Sequence, residues 1–212
     1  AAGLEQGADC VVLADTVGAA LPSEFEDKVR AIREFIGDDI ELSVHCHNDM
    51  GLAVANTFAG LVGGADCAQV SLCGIGERAG NTAMEELATV IHYRGYEVGM
   101  QSRVDSIHMI KACRKLIDEI SLVVSPQKPL IGRYVFSTAA GIHINGMLQD
   151  PECYEYVCPE HYGREREYII SRLSGRSVIT DRLQKNNLPS SPELVDRMYR
   201  SIIKSKDVHK YN

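Results

Sequence analysis

The chain has 212 residues, 45% of them hydrophobic, and a formal net charge of −7 from 22 Lys and Arg against 29 Asp and Glu. That length holds one good core or two small ones. The basic residues are scattered, with only a mild excess from Arg164 to Lys210, which argues against a nucleic-acid surface; no apolar run approaches the roughly 20 residues of a membrane-spanning helix.

The opening, Ala1-Ala2-Gly3-Leu4-Glu5, has no charged-then-apolar leader and reads as the interior of a longer sequence. Cys10-Val11-Val12-Leu13-Ala14 is a continuous apolar run of buried-strand type, ending in Asp15-Thr16-Val17-Gly18. A helix is expected from about Pro22 to Ile36, with Pro22 in its first turn and Phe25, Val29, Ile32 and Ile36 on one face. A second strand, Glu41 to His45, leads through an Asn48-Asp49 cap into a helix from about Leu52 to Val62, stopped by Gly63-Gly64. A third strand, Cys67 to Leu72, runs into Gly74-Ile75-Gly76-Glu77-Arg78-Ala79-Gly80-Asn81, and a helix follows over roughly Thr82 to Tyr93.

These are consecutive βα units with polar and glycine-rich residues gathered after each strand. Right-handed crossovers between parallel strands would bring Asp15-Thr16, His45-x-His47 and Glu77 to Asn81 to one rim. Three strands cannot close a barrel, so a (β/α) barrel would be only partly contained here. Beyond Gly99 the character changes. Val104, Ile107, Ile110, Ala112, Leu116, Ile117 and Ile120 predict an amphipathic helix, and Ser125 to Pro129 a turn-rich connector. Then come the run Val135 to His143, tyrosine-rich irregular sequence to Tyr168, and a terminal helix from Ser191 to Lys206 opened by Ser-Pro-Glu-Leu.

Seven cysteines is an odd number, spread without C-x-x-C pairs. Cys10, Cys67 and Cys73 lie in or beside apolar runs, where cysteine acts as a small hydrophobe, and reduced thiols in a cytoplasmic protein are expected. Cys153 and Cys158 are the weaker metal candidates. The chemistry concentrates at His45-Cys46-His47. Side chains at i and i+2 of a strand share a face, so both imidazoles point one way at the carboxyl end of the strand, while Cys46 points the other. An isolated H-x-H is more often a strand end carrying two solvated histidines. With Asn81 on the neighbouring strand end to supply an oxygen, two imidazoles make a divalent-metal site.

The blocks Asp15-Thr16-Val17-Gly18, His45 to Asn56 and Gly74 to Asn81 resemble the 2-isopropylmalate, homocitrate and citramalate synthase family, relatives of hydroxymethylglutaryl-CoA lyase. Ala140-Gly141-Ile142-His143, Tyr154-Glu155 and Ser174-Gly175-Arg176 add weaker support. The resemblance implies the carboxyl-terminal half of a (β/α)8 TIM-type barrel over residues 1–98. A linker and mostly helical subdomain over 99–212 would complete the active site. It implies condensation of acetyl-CoA with a 2-oxo acid and His45, His47 and Asn81 as ligands of a divalent metal, with zinc, manganese, cobalt and magnesium all open. Thr16 would bind the substrate carboxylate, and His143, Tyr154 and Glu77 would be catalytic. For Glu77 and Arg78 an ion pair holding the glycine turn is an equal reading, and for Tyr154 simple aromatic packing is another.

The family's opening Arg-Asp-Gly motif and its middle barrel strands have no match here. A homo-oligomer, or pairing with an amino-terminal barrel half from the same or another chain, is therefore expected. Rival readings are a lyase or aldolase on the same metal platform and a non-catalytic partner subunit of a split synthase. Ala19-Ala20-Leu21, Thr138 and Ile144-Asn145 depart from frequent family residues and leave the 2-oxo acid open. No leucine feedback through this chain is expected, because the long carboxyl-terminal regulatory domain of many relatives has no counterpart in it.

Overall fold

Parallel strands organise the first part of the chain. In the computed structural model, which describes residues 2–171 and 174–204, β1 (Cys10–Asp15), β2 (Glu41–Cys46) and β3 (Cys67–Gln69) form a parallel sheet in the order β1-β2-β3. A short helix α1 (Ala2–Glu5) precedes them; α2 (Pro22–Ile36) and α3 (Ala53–Val62) make the crossovers. The register aligns Leu13 with Val44 and Ala14 with His45, and His45 with Gln69. Period-two alternation then divides the sheet. Leu42, Val44 and Cys46 of β2 are fully buried and share one core with Phe25 and Val29 of α2 and Ala53 of α3, with Val11 and Leu13 packed against it. Cys10, Val12, Ala14, Ser43 and His45 take the other face, where Cys10, Val12 and Ala14 of β1 are exposed. A parallel sheet is ordinarily covered on both faces.

The helix ends follow their sequence signals. Pro22 opens α2, and Glu24 of its first turn accepts from the Leu21 N–H at 3.1 Å. The last helices of this unit are α4 (Met84–Arg94) and α5 (Ser106–Glu119), the latter capped by Asp105, whose carboxylate accepts from the His108 N–H at 2.8 Å. The third strand stops sooner than its apolar run suggests. Past Gln69 the chain bends, Ser71 bridges Ala83, and Leu72–Gly74 form a 3₁₀ turn. In α5 the buried face is Met109, Ile110 and Cys113, while Ile107 and Ile120 of the expected stripe are exposed.

Contacts divide the chain into the unit just described, Ala1–Val124 with Pro129–Ile131, and a second, Ser125–Lys128 with Gly132–Asn212. The second unit pairs β4 (Ser137–Thr138) in parallel with β5 (Glu167–Tyr168) and adds α6 (Gly141–Gln149), α7 (Arg176–Lys185) and α8 (Pro192–Lys204). Its core is Ile144 and Met147 of α6, Tyr168, Ile170, Val178, Ile179 and Leu183, closed by Val195 and Ile202 of α8. Helix α6 lies largely inside a stretch expected to be irregular. Residues 205–206 of the expected terminal helix fall outside the described residues. Among the described residues no helix is long and apolar enough to cross a membrane.

None of the seven cysteines forms a disulfide, but their exposure corrects part of the sequence expectation: Cys10 and Cys67 are exposed rather than packed as hydrophobes. Cys46, Cys73 and Cys113 are buried, and burial pushes the Cys46 thiol up to about 11, which leaves little thiolate at neutral pH. Native-state alkylation should therefore modify Cys153 and spare Cys46, Cys73 and Cys113 until denaturant is added. Peptide mass mapping reads this directly, and labelling of Cys46 as fast as Cys153 would contradict the placement of its side chain.

Candidate metal centre at the strand ends

Backbone hydrogen bonds knit the carboxyl ends of the three βα units together. The His47 N–H donates to the Asp15 carbonyl (3.3 Å), the Asn48 N–H to the Gly80 carbonyl (2.9 Å) and the Thr82 N–H to the Cys46 carbonyl (3.1 Å). His47 and Asn81 also form an antiparallel bridge. The three residues expected to hold a metal, His45, His47 and Asn81, are thus brought onto one rim.

Alternation does what the H-x-H spacing promised. His45 and His47 are half-buried with their Nε2 atoms 3.2 Å apart, and Cys46 between them is fully buried on the helix side. Two nitrogens each about 2.0–2.1 Å from one ion lie roughly 3.0–3.4 Å apart at ordinary ligand angles. The observed separation fits. Asn81 supports the fit independently, because its Oδ1 is buried and accepts no hydrogen bond from the described residues. A buried, unsatisfied amide oxygen is costly unless a donor or a cation takes its lone pair. The two imidazole Nδ1 atoms are likewise buried without a partner among the described residues.

The loop that carries Asn81 is built around missing side chains. A Cβ on Gly76 would stand 2.7 Å from the Asn81 Cγ and Oδ1, so the amide lies directly over the Gly76 backbone. Gly80 has φ +90°, and a Cβ there would meet the Gly74 carbonyl oxygen at 2.0 Å. That contact zone is where the Asn81 N–H donates to the same Gly74 carbonyl, 3.0 Å away. Thr82, fully buried, anchors the far side through a 2.6 Å bond with Thr57 of α3.

Charge closes the rim. Arg78, in the left-handed region at φ 58°, reaches both Asp49 oxygens at 2.8 and 2.9 Å and donates to the Thr16 carbonyl at 2.7 Å. Hydrogen bonding to this guanidinium holds the Asp49 carboxyl below the usual carboxylate range. The ion-pair reading of Arg78 therefore has a partner, but it is Asp49 on the neighbouring loop and not Glu77, whose side chain is exposed. Thr16 is exposed at the same rim. Asn48 acts as a cap, its Oδ1 accepting from the Ala53 N–H at 3.1 Å. Asp15 turns to the helix side, where its carboxylate accepts from the N–H groups of Ala19 and Ala20 and from Asn56.

His143 and Tyr154 belong to the second unit, where their rings stack at a centroid distance of 4.3 Å. Both side chains are exposed. Beside them Glu155 is held by Arg166, whose guanidinium donates to both Glu155 oxygens at 2.6–2.9 Å and to Glu160. Sequence reasoning did not find the pairing of Asp49 with Arg78 or of Glu155 with Arg166, because charge pairs between loops have no periodic signature.

Comparison with known proteins bears on both units. Residues 2–117 match the HMGL-like family, and residues 130–210 match the homocitrate synthase post-HMGL domain-like family. The chain is 39% identical over 191 residues to methylthioalkylmalate synthase 1-1, chloroplastic, of Eutrema japonicum, covering 86% of this chain and 37% of that protein. It is 35% identical over 201 residues to the 2-isopropylmalate synthase of Dictyoglomus turgidum, covering 93% and 39%. With the homocitrate synthase of Saccharolobus islandicus it shares 33% identity over 209 residues, covering 98% and 44%. The chain thus spans less than half the length of these relatives.

Proposed function

The chain belongs to the HMGL-like family, and from that premise we propose that it carries part of the active site of a metal-dependent synthase condensing acetyl-CoA with a 2-oxo acid. The observation that carries this reading is the convergence of the His45 and His47 Nε2 atoms, 3.2 Å apart, beside the buried and unsatisfied Asn81 oxygen. A divalent ion on these residues would polarise the carbonyl of the oxo acid as a Lewis acid.

The chain's own residues do the rest. Thr16, exposed at the rim, hydrogen-bonds the substrate carboxylate. Arg78 is committed to Asp49 and Thr16, so it fixes the loops that surround the substrate. Glu77, exposed on the same loop, accepts a proton in this reading. His143 supplies an imidazole to take a proton from the acetyl methyl or from the water that hydrolyses the thioester. Tyr154 stacks on its ring and sets its orientation. The remaining barrel strands come from elsewhere in the same protein or from another chain. The exposed face of β1 is what such strands would cover.

The test is a product assay on the native enzyme containing this chain, with acetyl-CoA and a panel of short, branched and dicarboxylic 2-oxo acids. Free CoA released in step with a new 2-hydroxy acid is the expected result. Cleavage of a hydroxyacyl-CoA without condensation would replace this reading with a lyase. No turnover of either kind by the metal-loaded enzyme would overturn it.

A further inference from the structure

Away from the rim, three side chains from distant parts of the sequence converge in the interior of the first unit. Cys73 lies on the 3₁₀ turn Leu72–Gly74, Glu85 in the first turn of α4 and Cys113 on α5. All three are buried, and their ligand atoms lie within 4.8 Å of one another. We propose that Cys73, Glu85 and Cys113 form a second metal site, distinct from His45, His47 and Asn81, that takes a thiophilic divalent ion of the zinc class.

The donor set and its spacing support this. Two sulfurs with a carboxylate select zinc or cobalt over magnesium or calcium, which prefer oxygen ligands. Around a tetrahedral zinc, with Zn–S about 2.3 Å and Zn–O about 2.0–2.2 Å, sulfur and oxygen ligands lie roughly 3.5 Å apart and two sulfurs roughly 3.8 Å. The Cys113 Sγ stands 3.8 Å from the Glu85 Oε2. Glu85 can bind through both oxygens, which brings the donor atoms to four. The backbone already favours the arrangement. Cys73 is held at φ 59°, a conformation rare for a side-chain-bearing residue, and its N–H donates to the Glu85 Oε2 at 2.9 Å. An ion here would tie α4 and α5 to the turn from which the loop of Asn81 departs. Its role would be structural, since the site is closed to solvent.

The experiment is expression of the full enzyme containing this chain in cobalt-supplemented minimal medium, so that the ion is present during folding, followed by elemental analysis and near-ultraviolet absorption. Thiolate-to-cobalt charge transfer reports sulfur ligation and is silent for a histidine and asparagine site. The expected result is one thiolate-ligated cobalt per chain, lost in Cys73→Ser and Cys113→Ser and retained in His47→Ala. A wild-type protein without that absorption overturns the proposal, whether or not cobalt binds at the rim. So does absorption that persists in the Cys73→Ser/Cys113→Ser double variant. Should the serine variants fail to fold, the wild-type spectrum decides alone.

Discussion

Gly80→Ala is expected to dismantle the loop that presents Asn81. The substitution adds a Cβ 2.0 Å from the Gly74 carbonyl oxygen, a backbone atom that cannot swing aside as a side chain can. It also places a side chain at φ +90°, where the strain alone is about 1–3 kcal/mol. To relieve the overlap the turn must open, which breaks the Asn81 N–H bond to Gly74 and the Asn48 N–H bond to the Gly80 carbonyl. A total loss above about 3 kcal/mol follows, equivalent to a fall in melting temperature of roughly 6–12 °C for a chain of this size. Gly51→Ala is the control: its φ is +75° but nothing lies within 4 Å of the new Cβ. It should show the conformational strain alone. Thermal unfolding of the two variants side by side decides the matter, and equal melting temperatures would refute the packing argument.

The second large effect concerns the metal. His47→Ala should weaken divalent-ion binding by more than about 100-fold, since even the loss of an outer-shell partner costs roughly 10–100-fold. His45→Ala should do the same. Neither residue belongs to the apolar core, so the fold should persist. Cys46→Ala makes the contrast sharp. Its side chain lies on the opposite face, fully buried among Leu42, Val44 and Phe25, so it should cost stability of about 1 kcal/mol and leave ion affinity unchanged. Calorimetric titration of the native enzyme with zinc, manganese, cobalt and magnesium measures all three variants. Unaltered affinity in both histidine variants would remove the rim as the metal centre.

Legibility from sequence followed the length of each pattern. The runs at Cys10 and Glu41 are long enough to declare strands, but only the second alternates and so declares its facing. The shared direction of His45 and His47 could therefore be read in advance, while the exposed face of β1 could not. The third strand could not be delimited, because the bend at Ser71 is set by bridging to Ala83, a contact outside the run. Helix α6 was hidden by Gly141 and Gly146 and by a buried face of only Ile144 and Met147. Helix α7 buries Val178, Ile179 and Leu183 among charged neighbours, too few to show a period. At the site, residue types were legible and partners were not. Asp49 and Arg78 are separated by 29 positions, and only the fold reveals that they meet.

The bonds that join Asp15, Cys46, His47, Asn48, Gly80 and Thr82 also bear on motion. A strand end tied to both neighbours cannot fluctuate by itself, and the Arg78 clamp adds a link through Asp49 and Thr16. Local opening in proteins occurs in contiguous cooperative blocks, and here the block is the whole rim. Opening one ligand-bearing loop therefore strains the bonds of its neighbours, and the backbone that presents the two imidazoles and the amide is held as a unit.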